Sequence, residues 1–186
     1  HYPLRRQRQM CIRDRDYWPH FKNVEIMFSI DGSGEIFNYL RHLGKWEEVE
    51  SNLRKFQEFK YLHLEICYTV SALNIHNLPH FVTWSQKNNW TVYFNMLHEP
   101  LHYCIQNIPE KAKHALKLHL EKTDANAINQ KQITAIIDFM MKPSSAASDT
   151  FSEFFEYVLA VDKLRGENFK DLQPEYFNLL EKSYYE

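Results

Sequence analysis

The sequence predicts an α/β fold: a small parallel sheet with outer helices, followed by a helical C-terminal extension. Three observations carry that expectation. Short apolar runs alternate with amphipathic stretches up to about residue 108, as βαβ units require. Beyond Pro109 the strand-like runs stop, and the remaining apolar patterns have helical spacing. The 186 residues are 44% hydrophobic, enough for one domain with a real core.

The first strand is expected over Val24–Ile30, "VEIMFSI", a run too short for a helix and bounded by Asn23 and by Asp31-Gly32. A glycine-rich connection follows. In "KWEEVESNLRKFQEF" (residues 45–59), Trp46, Val49, Leu53, Phe56 and Phe59 recur at three- and four-residue steps with charges between them, the pattern of an amphipathic helix. "LHLEICYTVS" (Leu62–Ser71) is rich in β-branched and aromatic residues and reads as the second strand. "LPHFVTWSQKNN" (residues 78–89) predicts a short helix with Pro79 in its first turn, and "WTVYFNML" (residues 90–97) a third strand closed by Pro100. Strand, helix, strand, helix, strand is the order that makes a parallel sheet.

Three helices are expected after it, in "PEKAKHALKLHLEK" (109–122), "NQKQITAIIDFMMK" (129–142) and "SDTFSEFFEYVLAVDKLRG" (148–166). The last has Ser148 or Asp149 as its N-cap and Gly166 as its stop, and turns Phe151, Phe154, Phe155 and Val158 toward the core. "KPSSAAS" (142–148) reads as a flexible connector. Three parallel strands leave an open edge, so these elements read as the trailing part of a larger α/β domain.

The formal net charge is −2, yet residues 1–15, "HYPLRRQRQMCIRDR", hold five Arg against one Asp. The remainder is left with seventeen basic and twenty-three acidic side chains, a balance that argues against a nucleic acid held by phosphate contacts. Residues 1–15 read as a non-native leader, the translation of a sequencing or assembly artefact, and stand outside the fold. No apolar run approaches the length of a membrane span. Cys11, Cys67 and Cys104 are few and dispersed, as in a reducing cytoplasm.

Three of the four glycines fall within "FSIDGSGEIFNYLRHLGKW" (28–46), at the carboxyl end of the first strand, where parallel sheets bind their ligands. Ser29 and Asp31, two residues apart in a strand, are expected to share a face, so both can point at one polar ligand. Gly32 and Gly34 then allow positive φ or close approach to that ligand. The competing reading is a tight turn that Asp31 caps as an Asx-turn. No Gly-Lys-Ser/Thr follows, and the third glycine of a dinucleotide fingerprint is missing. In "HEPLHYC", His98, His102 and Cys104 are zinc-donor types, but Pro100 interrupts them and a loop is the simpler reading.

"FSIDGSGEIFNYLRHLGKWEEVESNLRKF", "YTVSALNIHNLPHFVTWSQKN", "VYFNMLHEPLHYCIQNIPEKAK" and "VDKLRGENFKDLQPEYFNLLEK", in this order, resemble the second half of radical SAM enzymes of the twitch domain-containing group. The resemblance implies the C-terminal part of a (β/α)6 partial TIM barrel. Residues 16–108 supply strands four to six and residues 109–186 the helical region. It implies S-adenosylmethionine (SAM) bound on a [4Fe-4S] cluster, a 5′-deoxyadenosyl radical that abstracts hydrogen from a substrate of unassigned class, peptides among the candidates, and a flavodoxin or ferredoxin as electron donor. Position by position, Ser29 and Asp31 match contacts to the ribose and methionine parts of SAM, and Arg41 an arginine that follows "SIDG". Thr69 and Asn74 lie at the end of the fifth strand, and Leu97 is placed for backbone contact to adenine. Asn95, His98, Glu99 and Tyr103 fall where substrate contacts are expected.

The Cys-x3-Cys-x2-Cys motif, the Gly-Gly-Glu-Pro segment and the twitch region do not occur in this sequence. Three dispersed cysteines do not hold such a cluster. The chain therefore reads as a fragment, inactive by itself, of a parent enzyme. The alternative is a stand-alone, cluster-free α/β binding or interaction domain; a catalytically dead paralogue is a third possibility.

Overall fold

A computed structural model describes residues 16–144 and 150–185. Residues 1–15, Ser148 and Asp149, and most of the 142–148 connector lie outside the described residues. Strands β1 (Val24–Ser29), β2 (Leu62–Val70) and β3 (Thr91–Met96) form a parallel sheet in the order β1-β2-β3. Eight α-helices follow or separate them among the described residues: α1 (Glu35–Leu40), α2 (Trp46–Phe56), α3 (Leu78–Lys87), α4 (Glu110–Glu121), α5 (Ala127–Met141), α6 (Ser152–Arg165), α7 (Phe169–Leu172) and α8 (Pro174–Tyr185).

The three expected strands and the helices α2 to α6 are present. Helix α1, within the glycine-rich connection, is an element that the sequence reading did not identify. Its six residues bury Ile36, Phe37 and Tyr39, too short a run to show helical periodicity. Gly34, at φ 58°, turns the chain into it. Gly32 does something else: a Cβ there would lie 2.9 Å from Ile36 Cγ2. Its smallness serves packing against α1. Helix α6 begins at Ser152 after Phe151, which makes no side-chain cap, and stops at Gly166 in the left-handed region as expected.

Local signals account for the longer helices. Asn38 on α1 accepts from the Trp46 N–H at 2.8 Å, fixing the start of α2. Glu47 and Glu48 then sit in its first turn, and Arg54 and Lys55 in its last, matching the helix dipole. Asn126 caps α5 by accepting from the N–H groups of Ile128 and Asn129.

One hydrophobic core runs from the sheet into the helical region. Ile66, Tyr68 and Val70 of β2 are fully buried, with Val92 and Phe94 of β3 beside them. Met140, Phe154, Phe169, Tyr176 and Leu180 belong to the same cluster. The loop after β2 is held by the far end of the chain: the Gln173 side-chain amide donates to the Leu73 carbonyl at 3.0 Å, and the Tyr176 hydroxyl to the Ala72 carbonyl at 2.7 Å.

The strand register sorts side chains by parity. Residues 26, 28, 64, 66, 68, 92 and 94 face the helices; Glu25, Met27, Ser29, His63, Glu65, Cys67, Thr69, Thr91, Tyr93 and Asn95 occupy the opposite face. That second face is open: Met27 and Tyr93 are each 50% exposed. No helix among the described residues is long and apolar enough to cross a membrane.

Candidate functional site

At the carboxyl ends of the strands, the loops after β1, β2 and β3 surround an open cavity of about 330 Å³. Asp31, Arg41, Thr69, Asn74, Leu97 and Tyr103 line it, together with Leu40, Ser71, Leu73 and Pro100. Six residues singled out from the sequence thus meet at one place.

Asp31 organises the site. Its Oδ2 pairs with Arg41 Nη2 at 2.6 Å, and its Oδ1 accepts from the Thr69 backbone N–H at 2.8 Å. The carboxylate therefore bridges β1's loop to β2 and to the residue after α1, and does not cap its own turn as an Asx-turn. Its side chain is 18% exposed and that of Arg41 47%, so the carboxylate lies inward of the guanidinium. An ionised carboxylate has about four lone-pair sites, so acceptor capacity remains beyond these two contacts.

Asn74 fixes the geometry behind it. The side chain is buried, 1% exposed, and its Nδ2 donates to the carbonyls of Asp31 and Thr69, both at 2.9 Å. Its Oδ1 accepts from the Ser71 N–H at 2.8 Å. Asn74 is thus committed to the backbone of two loops and acts by positioning them. The Leu97 N–H donates to the Val70 carbonyl at 3.0 Å, fixing the start of the loop after β3 against the end of β2. The Ala72 N–H donates to the Tyr103 carbonyl at 2.8 Å, tying the loop after β3 to that after β2. Burial pushes the Tyr103 phenol above its ordinary range.

The other expected positions stand apart from the cavity. Ser29 is exposed, in the row of Cys67 and Tyr93 on the open face. Asn95, beside Thr69, donates from Nδ2 to Cys67 Sγ at 3.5 Å. His98 packs edge-on against Phe139 of α5, with centroids 5.2 Å apart, and Glu99 is exposed. Leu40, Ser71, Leu73 and Pro100 were not singled out from the sequence. The signal for Ser71 and Leu73 was their place just beyond a parallel strand.

The donors of "HEPLHYC" diverge. His102 is buried, meets Glu153 at 3.3 Å and stacks on Tyr157, while Cys104 is buried in the turn that follows, its thiol pushed up by burial. Among the described residues no three His, Cys, Asp or Glu side chains come together as a metal site. Cys67 lies on the open sheet face and Cys104 in the core, so these residues do not fit an iron–sulfur cluster.

No family model matches the chain, and neither does any curated protein or solved structure.

Proposed function

We propose that the cavity beyond the three strands binds SAM, and that residues 16–108 are strands four to six of a (β/α)6 partial barrel with residues 109–186 as its helical cover. The observation that carries this reading is the convergence of Asp31, Arg41, Thr69, Asn74 and Leu97 on one cavity. Five of the six positions that the resemblance assigns to SAM border it. The chemistry agrees with such a ligand: Asp31 has spare acceptor capacity for ribose hydroxyls or an ammonium, Arg41 is a cation at the rim, and Leu97 borders the same cavity.

Radical chemistry is not assigned to this chain, because its cysteines do not fit the cluster. In this reading the cluster, its electron donor and the hydrogen abstraction belong to a parent enzyme in the reducing cytoplasm. The chain's own residues do three things there. Asp31 and Arg41 orient the ligand, Asn74 holds the two loops at fixed separation, and Leu40, Leu73 and Leu97 exclude water from one side.

Isothermal titration of the chain with SAM tests the proposal. Saturable binding is expected, weakened about tenfold or more in Asp31→Asn, which loses the charge that accepts from the ligand. Absence of binding, or equal affinity in the variant, overturns it and leaves the stand-alone binding domain as the reading to pursue.

A further inference from the structure

The open face of the sheet carries an imbalance of charge. Its ionisable side chains of ordinary strength are Glu25, His63 and Glu65, with no Lys or Arg on any of the three strands. Glu65 lies on the central strand, between Met27 on β1 and Thr91 on β3, and neither neighbour offers it a countercharge. It makes no hydrogen bond or ion pair with any described residue. Tyr93 stands one row above on β3.

Parallel sheets are covered on both faces. Whatever covers this one takes the Glu65 carboxylate out of water, at a cost of several kcal/mol unless the occupant compensates it. An apolar or anionic occupant leaves that charge unpaired. A cation pairs with it, and the Met27 thioether and the Tyr93 ring suit an alkylammonium stem and head. We propose that the open face receives a substrate bearing a primary amine or guanidinium, held at the Glu65 carboxylate. This rests on the reading of the sheet as a barrel wall, in which this face turns to the lumen just below the SAM cavity.

The test is a titration of the isotope-labelled full chain with Nα-acetyl-lysine amide and with its uncharged Nε-acetylated counterpart, followed by backbone amide shifts. The charged probe is expected to shift amides of β2 and β3 around Glu65 saturably, and the neutral one not. Because Glu65 is partly solvated in this chain, Glu65→Gln is expected to weaken binding roughly three- to fivefold. Equal responses to the two probes, an unaltered response in Glu65→Gln, or shifts confined to other elements overturn the inference. So does sedimentation showing that two copies pair through this face. A separate SAM titration of the unmodified chain divides the failures: SAM binding without the lysine probe refutes the amine site alone, and the lysine probe without SAM refutes the SAM reading alone.

Discussion

Replacing Asn74 by Ala removes three hydrogen bonds at once from a side chain that is 1% exposed. A buried hydrogen bond contributes about 1 kcal/mol net, so the loss is about 3 kcal/mol, a fall in Tm of roughly 6–12 °C for a chain of this length. Asn74→Asp sharpens the test. It retains the acceptor for the Ser71 N–H but turns a second oxygen toward the carbonyls of Asp31 and Thr69. At neutral pH it is expected to cost at least as much as Ala, and to recover as the pH falls and a carboxylic O–H donates to one of those carbonyls. Urea denaturation followed by circular dichroism reads both. An Ala variant within about 1 kcal/mol of the unmodified chain refutes the positioning role, since a buried side chain that holds three bonds could not be removed so cheaply. So does an Asp variant whose stability does not rise in acid.

Three further expectations accompany it. Burial holds the His76 imidazole down at about 4 against an ordinary 6.5, with His119 stacked on it adding to the effect. The unfolded chain therefore takes up a proton that the folded one refuses, and stability is lost as pH falls from about 6.5 to about 4. The full displacement sets a bound of about 3 kcal/mol, reduced to about 1–2 kcal/mol by His76's partial exposure, and His76→Phe is expected to flatten that part of the urea midpoint's pH profile. Gly32→Ala is expected to cost about 1–3 kcal/mol by overpacking against Ile36. Gly34→Ala meets no atom and strains only its φ of 58°, so it is expected to cost about 1 kcal/mol in the same assay. A larger loss at Gly34 than at Gly32 contradicts the roles given to the two glycines.

Much of this architecture was legible because strands and long helices write themselves into short windows. "VEIMFSI" and "WTVYFNML" needed only composition and their bounding turns. Helix α1 was not legible: six residues give less than two turns of pattern, and the glycines around it point to a loop. At the site, Asp31 and Thr69 were visible as residues near the carboxyl ends of strands. Their bond was not, since it joins positions 38 residues apart through a backbone N–H that any residue but proline provides. The three backbone bonds of Asn74 were hidden for the same reason. A sequence shows an amide side chain but not that the backbone has already satisfied it. The open face, by contrast, left a trace in "LHLEICYTV", where His63, Glu65, Cys67 and Thr69 alternate with Leu64, Ile66, Tyr68 and Val70.

The bonds from Gln173 and Tyr176 to the loop after β2 have a consequence in time. They join residues 100 and 104 positions apart. During synthesis the three strands emerge and can pair while the carbonyls of Ala72 and Leu73 still face water. The loop that carries Asn74 acquires its last constraints only when α8 arrives, more than half the chain later. A ribosome-bound intermediate paused before α8 would hold the sheet and much of the core, but not a finished rim.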